Sequence, residues 1–287
     1  MNNIIPLSHR GEEPENGVLY LVGTPIGNLS DISERFINIL QKVFLIACED
    51  TRETQKILNK FNIKNKLTSF NKVNCHDKAP KLINYLLDGK TIALVSDAGM
   101  PTICDPGEEL VKKAKEKKID VICIPGPCAA LTALVSSGFP SSGFVFEGFL
   151  PRKKADREKI LLEISKNEKT TVMYESPHRL IKTLGELKKF CGGSRESIVH
   201  RELTKKYEEH IGSNLDEILR HFNEFKVIGE FTIVLKGIKA KDNLKINELE
   251  IKKDLDELIK AGLSLSSAAK YLAKKNKIQK NVIYKLY

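Results

Sequence analysis

The chain has 287 residues, 41% of them hydrophobic and 29% charged. That is enough apolar content to bury the cores of about two domains, and it excludes wholesale disorder. Lys and Arg number 47 against 37 Asp and Glu, a net charge of +10, which points to an anionic partner such as nucleic acid, although a lysine-rich solvated surface would give the same total.

The stretch 1–17 has no apolar core of the secretory kind and reads as a polar leader. Residues 18–22 form a short apolar run ending in Gly-Thr-Pro-Ile-Gly, a strand and a tight turn. Over 31–43 the apolar residues Ile32, Phe36, Ile39, Leu40 and Val43 recur at helical spacing. A second apolar run at 44–47 leads into Cys48-Glu49-Asp50-Thr51-Arg52. Helices are expected over 53–60, 78–87 and 108–117, and strands over 91–95 and 120–124. Undivided apolar strands alternating with helices argue for an α/β unit with a mainly parallel sheet. The segment 125–140 reads as a crossover. A second α/β set follows, with strands at 143–146, 170–174, 197–201 and 230–235 and helices at 155–165, 180–190 and 214–222. A linker at 239–245 precedes three helices, at 248–261, 266–275 and 281–287. The resulting division is a leader at 1–16, α/β domains at 17–127 and 128–238, and a helical domain at 239–287.

Charge follows this division. Residues 258–287 hold seven lysines and no acid, which leaves +3 for everything before them. The six cysteines, Cys48, Cys75, Cys104, Cys123, Cys128 and Cys191, form no C-x-x-C pair and no zinc-spaced cluster with histidine. They suit free thiols in a reducing cytosol, with no metal. The most apolar stretch, 121–135, contains Pro125, Gly126 and Pro127 and cannot be a continuous membrane helix.

Ligands of open parallel sheets sit at the carboxyl ends of strands. Here several such ends carry Gly, Pro and charged residues together: 23–29, 48–52, 96–101 running on to Asp105-Pro106-Gly107, and 125–130. In the second half, Glu175-Ser176-Pro177-His178-Arg179 and Arg201-Glu202-Leu203-Thr204-Lys205 take equivalent places. None matches the dinucleotide or P-loop fingerprints. Gly and Pro commonly just end strands, but their pairing with charge at so many ends favours a ligand site.

Together with 19–29 and 147–151, these loops resemble, in order and spacing, the tetrapyrrole-methylase-like (class III) methyltransferases, and specifically their ribosomal-RNA branch. The resemblance runs from about Gly17 to Tyr287. It implies two α/β domains of the tetrapyrrole methylase type with S-adenosylmethionine in the cleft between them, plus a small C-terminal helical domain. It implies methylation of the ribose 2′-oxygen of a cytidine in the decoding centre of 16S rRNA, on the small ribosomal subunit, by a cytoplasmic homodimer that needs no membrane. Carried over by motif, Pro25, Asp97, Ala98, Gly99, Met100, Cys128 and Ala129 hold the cofactor, and Tyr174, Leu203 and Thr232 close over its adenine; ordinary core packing is the alternative for those last three. Two residues depart from the pattern: Met100 stands where the family commonly has Thr, and Ile228 where it usually has Lys.

Methyl transfer from a sulfonium is an in-line displacement governed by positioning. A ribose hydroxyl must also lose a proton, and a carboxylate or histidine in reach can take it. Glu49, Asp50, Asp105, Glu147, Glu175, His178 and Glu202 all fall on the expected loops, and Glu175 and Glu202 are the expected catalytic pair. Asp50 and Arg52 can equally form a structural ion pair. Arg52, His178, Arg179, Arg201 and Lys205 near the cleft, and Lys270, Lys274, Lys275, Lys277 and Lys280 in the last helices, are the expected RNA contacts. Tyr271, Tyr284 and Tyr287 could stack on bases beside them. Two rival functions remain: a tetrapyrrole methyltransferase, and a non-catalytic ribosome-assembly factor that binds RNA.

Overall fold

The structure is a computed structural model that describes residues 13–14, 16–238, 248–276, 280–284 and 287. Most of the expected leader, the expected linker at 239–245 and Lys277 lie outside the described residues.

The first half is built on β1 (Val18–Val22), β2 (Leu45–Cys48), β3 (Leu67–Ser69), β4 (Ile92–Val95) and β5 (Asp120–Ile124). Their order is β3-β2-β4-β1-β5, and every pairing is parallel. Helices α1 (Glu34–Lys42), α2 (Thr51–Lys60), α3 (Cys75–Leu87) and α4 (Glu108–Glu116) cover both faces. Alternate residues of one strand therefore enter different cores: Ala93 and Val95 pack with Phe36, Ile39 and Leu40, while Ile92 and Leu94 pack with Leu82, Leu86 and Leu110. This is why the strands read as undivided apolar runs. The three-residue β3 is not legible by pattern.

The segment expected as a bare crossover contains α5 (Ala129–Ser137). Its sequence is apolar nearly all round, so it shows little helical amphipathicity. Gly138 ends it in a left-handed conformation (φ 67°).

The second half holds β6 (Phe144–Phe149), β7 (Thr170–Glu175), β8 (Ser197–Arg201), β9 (Glu209–Ile211) and β10 (Phe231–Leu235) in the order β6-β7-β10-β8-β9. Only β6 and β7 run parallel; β10 is antiparallel to both of its neighbours and β9 to β8. Helices α6 (Lys154–Lys166), α7 (Pro177–Cys191) and α8 (Leu215–Glu224) pack on one face through Leu161, Leu184 and Phe222. The other face receives α5, whose Ala130, Ala133 and Leu134 meet Val172, Val234 and Ile26. The crossover helix thus ties the first half to the second sheet. Beneath α7, the buried Arg157 donates to Glu186 at 2.6 Å and to Thr183 at 2.7 Å.

Beyond these halves, α9 (Glu248–Lys260), α10 (Leu265–Asn276) and α11 (Lys280–Tyr284) form a separate small core from Ile251, Leu255, Ala268, Leu272 and Ile283. Among the described residues no helix is long and apolar enough to cross a membrane. All six cysteines are free.

Candidate active site

The loop after β1 and the loop after β4 are pinned to each other. Thr24 and Gly99 exchange backbone hydrogen bonds of 2.9 and 3.1 Å, Thr24 Oγ1 donates to the Ser96 carbonyl at 3.0 Å, and Ser96 Oγ donates to the Gly99 carbonyl at 2.9 Å. The loop after β5 crosses the first of these so closely that a Cβ on Gly126 would stand 2.9 Å from the Gly23 Cα and carbonyl oxygen. Only glycine permits that approach.

A cavity of about 380 Å³ opens where these loops face the second sheet, within the range of small-molecule sites. From the first half its lining includes Ile26, Asp97, Ala98, Gly99 and Met100, then Ile103, Cys104 and Asp105. Cys128 and Ala129 line it at the start of α5. From the second half come Tyr174, Leu203 and Thr232. Nine of the ten residues expected at the cofactor therefore converge here. The exception is Pro25, which is buried behind the lining while its neighbour Ile26 reaches the cavity.

The second half places its residues by cross-strand register. Tyr174 lies opposite Thr232, and Thr232 opposite His200, so the three form a row across β7, β10 and β8. The Tyr174 hydroxyl accepts the Ala130 N–H at 3.1 Å, serving α5 as a cap that Cys128 does not supply. Burial holds the Tyr174 phenol well above its usual pKa. His200 also lines the cavity. Burial, then the adjacent His210, pushes its pKa down to about 4. No sequence signal singled it out.

Two loops at the cavity hold non-glycine residues in the left-handed region: Thr102 (φ 74°) and Cys104 (φ 67°) after β4, and Glu202 (φ 53°) and Thr204 (φ 65°) after β8. Such conformations are costly, most of all for a β-branched threonine, and they gather where geometry serves a function.

The carboxyls differ in their surroundings. Asp97 accepts the Asp50 N–H at 3.0 Å, yet burial and then the Asp50 charge raise its pKa. Burial likewise raises Asp105, with Lys72 opposing, and raises Glu49, helped by Asp105 and Asp97. Asp50 instead caps α2: it accepts the Arg52 N–H at 2.8 Å and binds the Arg52 guanidinium at 2.6 Å, which holds its pKa down at about 2. The structural ion pair is thus present, although the Arg52 side chain remains 84% exposed.

The expected catalytic pair is tightly held. Both Glu175 oxygens are engaged: one accepts the Ser176 N–H at 2.8 Å and faces Arg179 at 3.4 Å, and the other accepts the Thr183 hydroxyl at 2.6 Å. Glu202 accepts from the Glu230 N–H at 2.9 Å and from Lys205 at 3.0 Å. Burial raises its pKa, but those two donors outweigh it and the net shift is downward. Glu147 lies on β6 outside the lining.

Several expected RNA contacts are internal ties. Arg179 donates to the Leu150 carbonyl at 2.6 Å. Arg201 donates to the Ile228 carbonyl at 2.7 Å and to Glu209 at 2.8 Å. The Lys205 stem lies over Gly27, and its ammonium reaches Glu202 and, at 2.8 Å, Glu230. His178 is exposed on the first turn of α7. In the last helices Lys270 and Lys274 are exposed, Lys275 pairs with Asp254 at 2.9 Å, and Lys280 donates to Ser266 at 3.0 Å.

A small organic cation suits this cavity. Close-packed glycine backbone gives it a floor, Asp97 and Asp105 supply negative charge, and Leu203, Thr232 and the Tyr174 ring offer a flat, mostly apolar wall. Among the described residues no cluster could hold a metal ion.

The model of the tetrapyrrole (corrin/porphyrin) methylases matches residues 18–219. The ribosomal RNA small subunit methyltransferase I of Synechocystis is 43% identical over 270 residues, 94% of this chain and 97% of its own. The Thermotoga maritima enzyme of the same name is 45% identical over 221 residues, 77% of this chain and 99% of its own. Among solved structures, uroporphyrin-III C-methyltransferase of Thermus thermophilus, complexed with S-adenosyl homocysteine, superposes with a TM-score of 0.53 at 15% identity, covering 76% of this chain and 96% of that one. The fold is therefore that of the tetrapyrrole methylases, and the chain belongs to the ribosomal RNA small subunit methyltransferase I family within them, the S-adenosylmethionine-dependent methyltransferases.

Proposed function

We propose that the chain methylates 16S rRNA in the small ribosomal subunit, at the ribose 2′-oxygen of a cytidine in the decoding centre. The observation that carries this reading is sequence identity: the Synechocystis and Thermotoga rRNA enzymes are 43% and 45% identical to the chain, the tetrapyrrole enzyme of known structure 15%. The basic C-terminal helices have no evident use with a small tetrapyrrole, but they suit a phosphate backbone.

When bound, S-adenosylmethionine supplies a methyl group on a cationic sulfonium. Asp97 to Met100, with Cys128 and Ala129, would hold its methionine and ribose portions; Tyr174, Leu203 and Thr232 would hold its adenine. Glu175 and Glu202 serve as positioning residues, because both are already hydrogen-bonded. The ribose proton goes to Asp105, which lines the cavity and whose pKa burial raises toward the working range of a general base. Working units at 17–127, 128–238 and 239–287 fit these roles. A homodimer acting in the cytoplasm completes the reading, supported by Leu131 and Val135, exposed one turn apart on α5.

The test supplies labelled S-adenosylmethionine with either unmethylated small subunits or a porphyrinogen. Label recovered in a 2′-O-methylcytidine supports the reading. Label on the macrocycle, or saturable subunit binding without transfer, refutes it.

A further inference from the structure

We propose that Phe149 is the stacking platform for the base of the target nucleotide, at the mouth of the cavity. The inference deepens the rRNA reading and rests on it.

Strict alternation along β6 would send residue 149 to the face opposite Phe144 and Phe146. The register instead shifts between Phe146 and Gly148: Phe146 lies opposite Val172, Gly148 opposite Met173 and Phe149 opposite Tyr174. Gly148 takes φ +60°, and a Cβ there would stand 2.8 Å from Cys104 Sγ. This one-residue bulge turns Phe149 back to the face that carries Val172 and Tyr174, the cavity face. Re-aiming a side chain is what bulges beside active sites do.

The ring so placed is not part of a core. It lines the cavity and is 52% exposed, whereas Phe144 and Phe146 pack under α5. It leans on Tyr174 at 5.7 Å between centroids and 58° between planes, an arrangement that leaves ring surface open. Ile103, 40% exposed, lines the same cavity from the first half. Neither residue belongs to the set expected to hold the cofactor, so the lining extends beyond what the cofactor needs.

Cations stand nearby. Lys72 donates to the Cys104 carbonyl at 3.2 Å. Arg152, Lys153 and Lys154, all exposed, follow Phe149-Leu150-Pro151 in the chain. An open aromatic face, an apolar wall and adjacent cations are what a nucleotide drawn out of its helix requires, with stacking for the base and charge for its phosphates.

The test compares Phe149→Ala, Phe149→Leu and Phe149→Trp. It measures S-adenosylmethionine affinity by calorimetry and steady-state methylation of unmethylated small subunits. A stacking contribution of about 1–3 kcal/mol corresponds to a loss of roughly 5- to 150-fold. We expect that loss in kcat/KM for the subunit with both Ala and Leu, with cofactor affinity within about twofold of wild type, and activity restored to within about threefold by Trp. A leucine variant as active as wild type would overturn the proposal, because apolar packing alone would then suffice. A fall in cofactor affinity beyond about fivefold would also overturn it, by assigning the ring to the cofactor. Leu and Trp keep an apolar side chain at 149, so their comparison stands even if Ala impairs folding. Failure of the rRNA reading looks different: wild-type protein would transfer no methyl to the subunit.

Discussion

The two sheets build one cavity by different means. The parallel sheet contributes loops: its central strands are buried on both faces, and chemistry begins at strand ends, at Gly23, Asp97 and Gly126. The mixed sheet contributes strand residues: Tyr174, Thr232 and His200 reach the cavity because antiparallel register aligns them across three strands. A parallel sheet gathers its ligand groups at one edge by topology alone. An antiparallel sheet can offer a face as well. The first half should therefore be most sensitive in its loop carboxyls and backbone, and the second in its side chains and their protonation.

The largest expected effect is on the chemical step. Asp105→Asn keeps the shape of the side chain and removes its capacity to accept a proton. We expect kcat to fall by at least about 100-fold, the usual size of a general-base contribution, and cofactor affinity to fall much less, through the loss of one of the carboxylates that line the cavity. Since burial raises the Asp105 pKa, wild-type activity should decline as pH falls through that raised value, and the asparagine variant should lose this limb. Single-turnover rates across pH provide the check. If Glu202→Gln costs more than Asp105→Asn, the mixed sheet supplies the base and the comparison breaks.

Next in size is the backbone crossing. In Gly126→Ala the new methyl would meet Gly23 main chain, which cannot rotate away as a side chain would. Overpacking of this kind costs about 2–3 kcal/mol, readable as a lower urea midpoint. Cofactor affinity should fall by at least about 10-fold, since the floor of the cavity must shift. Gly185→Ala in α7, where a Cβ meets nothing within 4 Å, is the control; there helix propensity should add up to about 1 kcal/mol of stability.

Much of the first half is legible in the sequence for the same physical reason. Strands buried on both faces leave long apolar runs, and the helices between them carry clear stripes, so 18–22 falls where the pattern puts it and 92–95 within one residue of it. The strand-end loops stand out because Gly, Pro and charge occur together. What is not legible depends on partners distant in sequence. Strands β3 and β9 have three residues each, too few for a period. Helix α5 is hidden by its all-round apolarity, and His200 looks like any residue near a strand end until β10 sets it beside Thr232. The engaged state of Glu175 depends on Thr183, eight residues on in sequence, which the winding of α7 brings back against the strand end. Phe149 is seen as special only once the bulge before it is placed.

The mixed sheet should show its difference in acid. His200 is 1% exposed and is held neutral by burial, with a pKa of about 4 against 6.5 for the free side chain. Between those values the unfolded chain binds a proton that the folded chain does not. Stability contributed by this site is therefore complete above about pH 6.5 and declines as pH falls toward 4. From pH 7 to pH 5 the loss amounts to about 1–2 kcal/mol. His210 and Glu208 are the titratable neighbours that act on it. His200→Leu should flatten this part of the stability profile, measured by urea unfolding at a series of pH values, while His210→Leu should leave most of it. Equal slopes in wild type and His200→Leu would mean the acid sensitivity lies elsewhere.

The smallest effect belongs to the basic helices, which stand apart from both sheets with a core of their own. The Thermotoga relative is matched along 99% of its length by 77% of this chain, so a methyltransferase of this family can be shorter by about the size of such an appendage. These helices should then add affinity rather than chemistry. Each phosphate contact contributes about one unit to the salt dependence of binding. Lys270→Ala and Lys274→Ala should each lower the slope of log Kd against log salt by about one and weaken subunit binding a few-fold. Lys275→Ala should do less, because Asp254 already neutralises that ammonium at 2.9 Å. Deleting 239–287 should combine these losses and leave cofactor affinity as it was. Salt-insensitive subunit binding by wild type and truncated protein alike would take the helices out of RNA recognition and leave the cleft to grip its substrate alone.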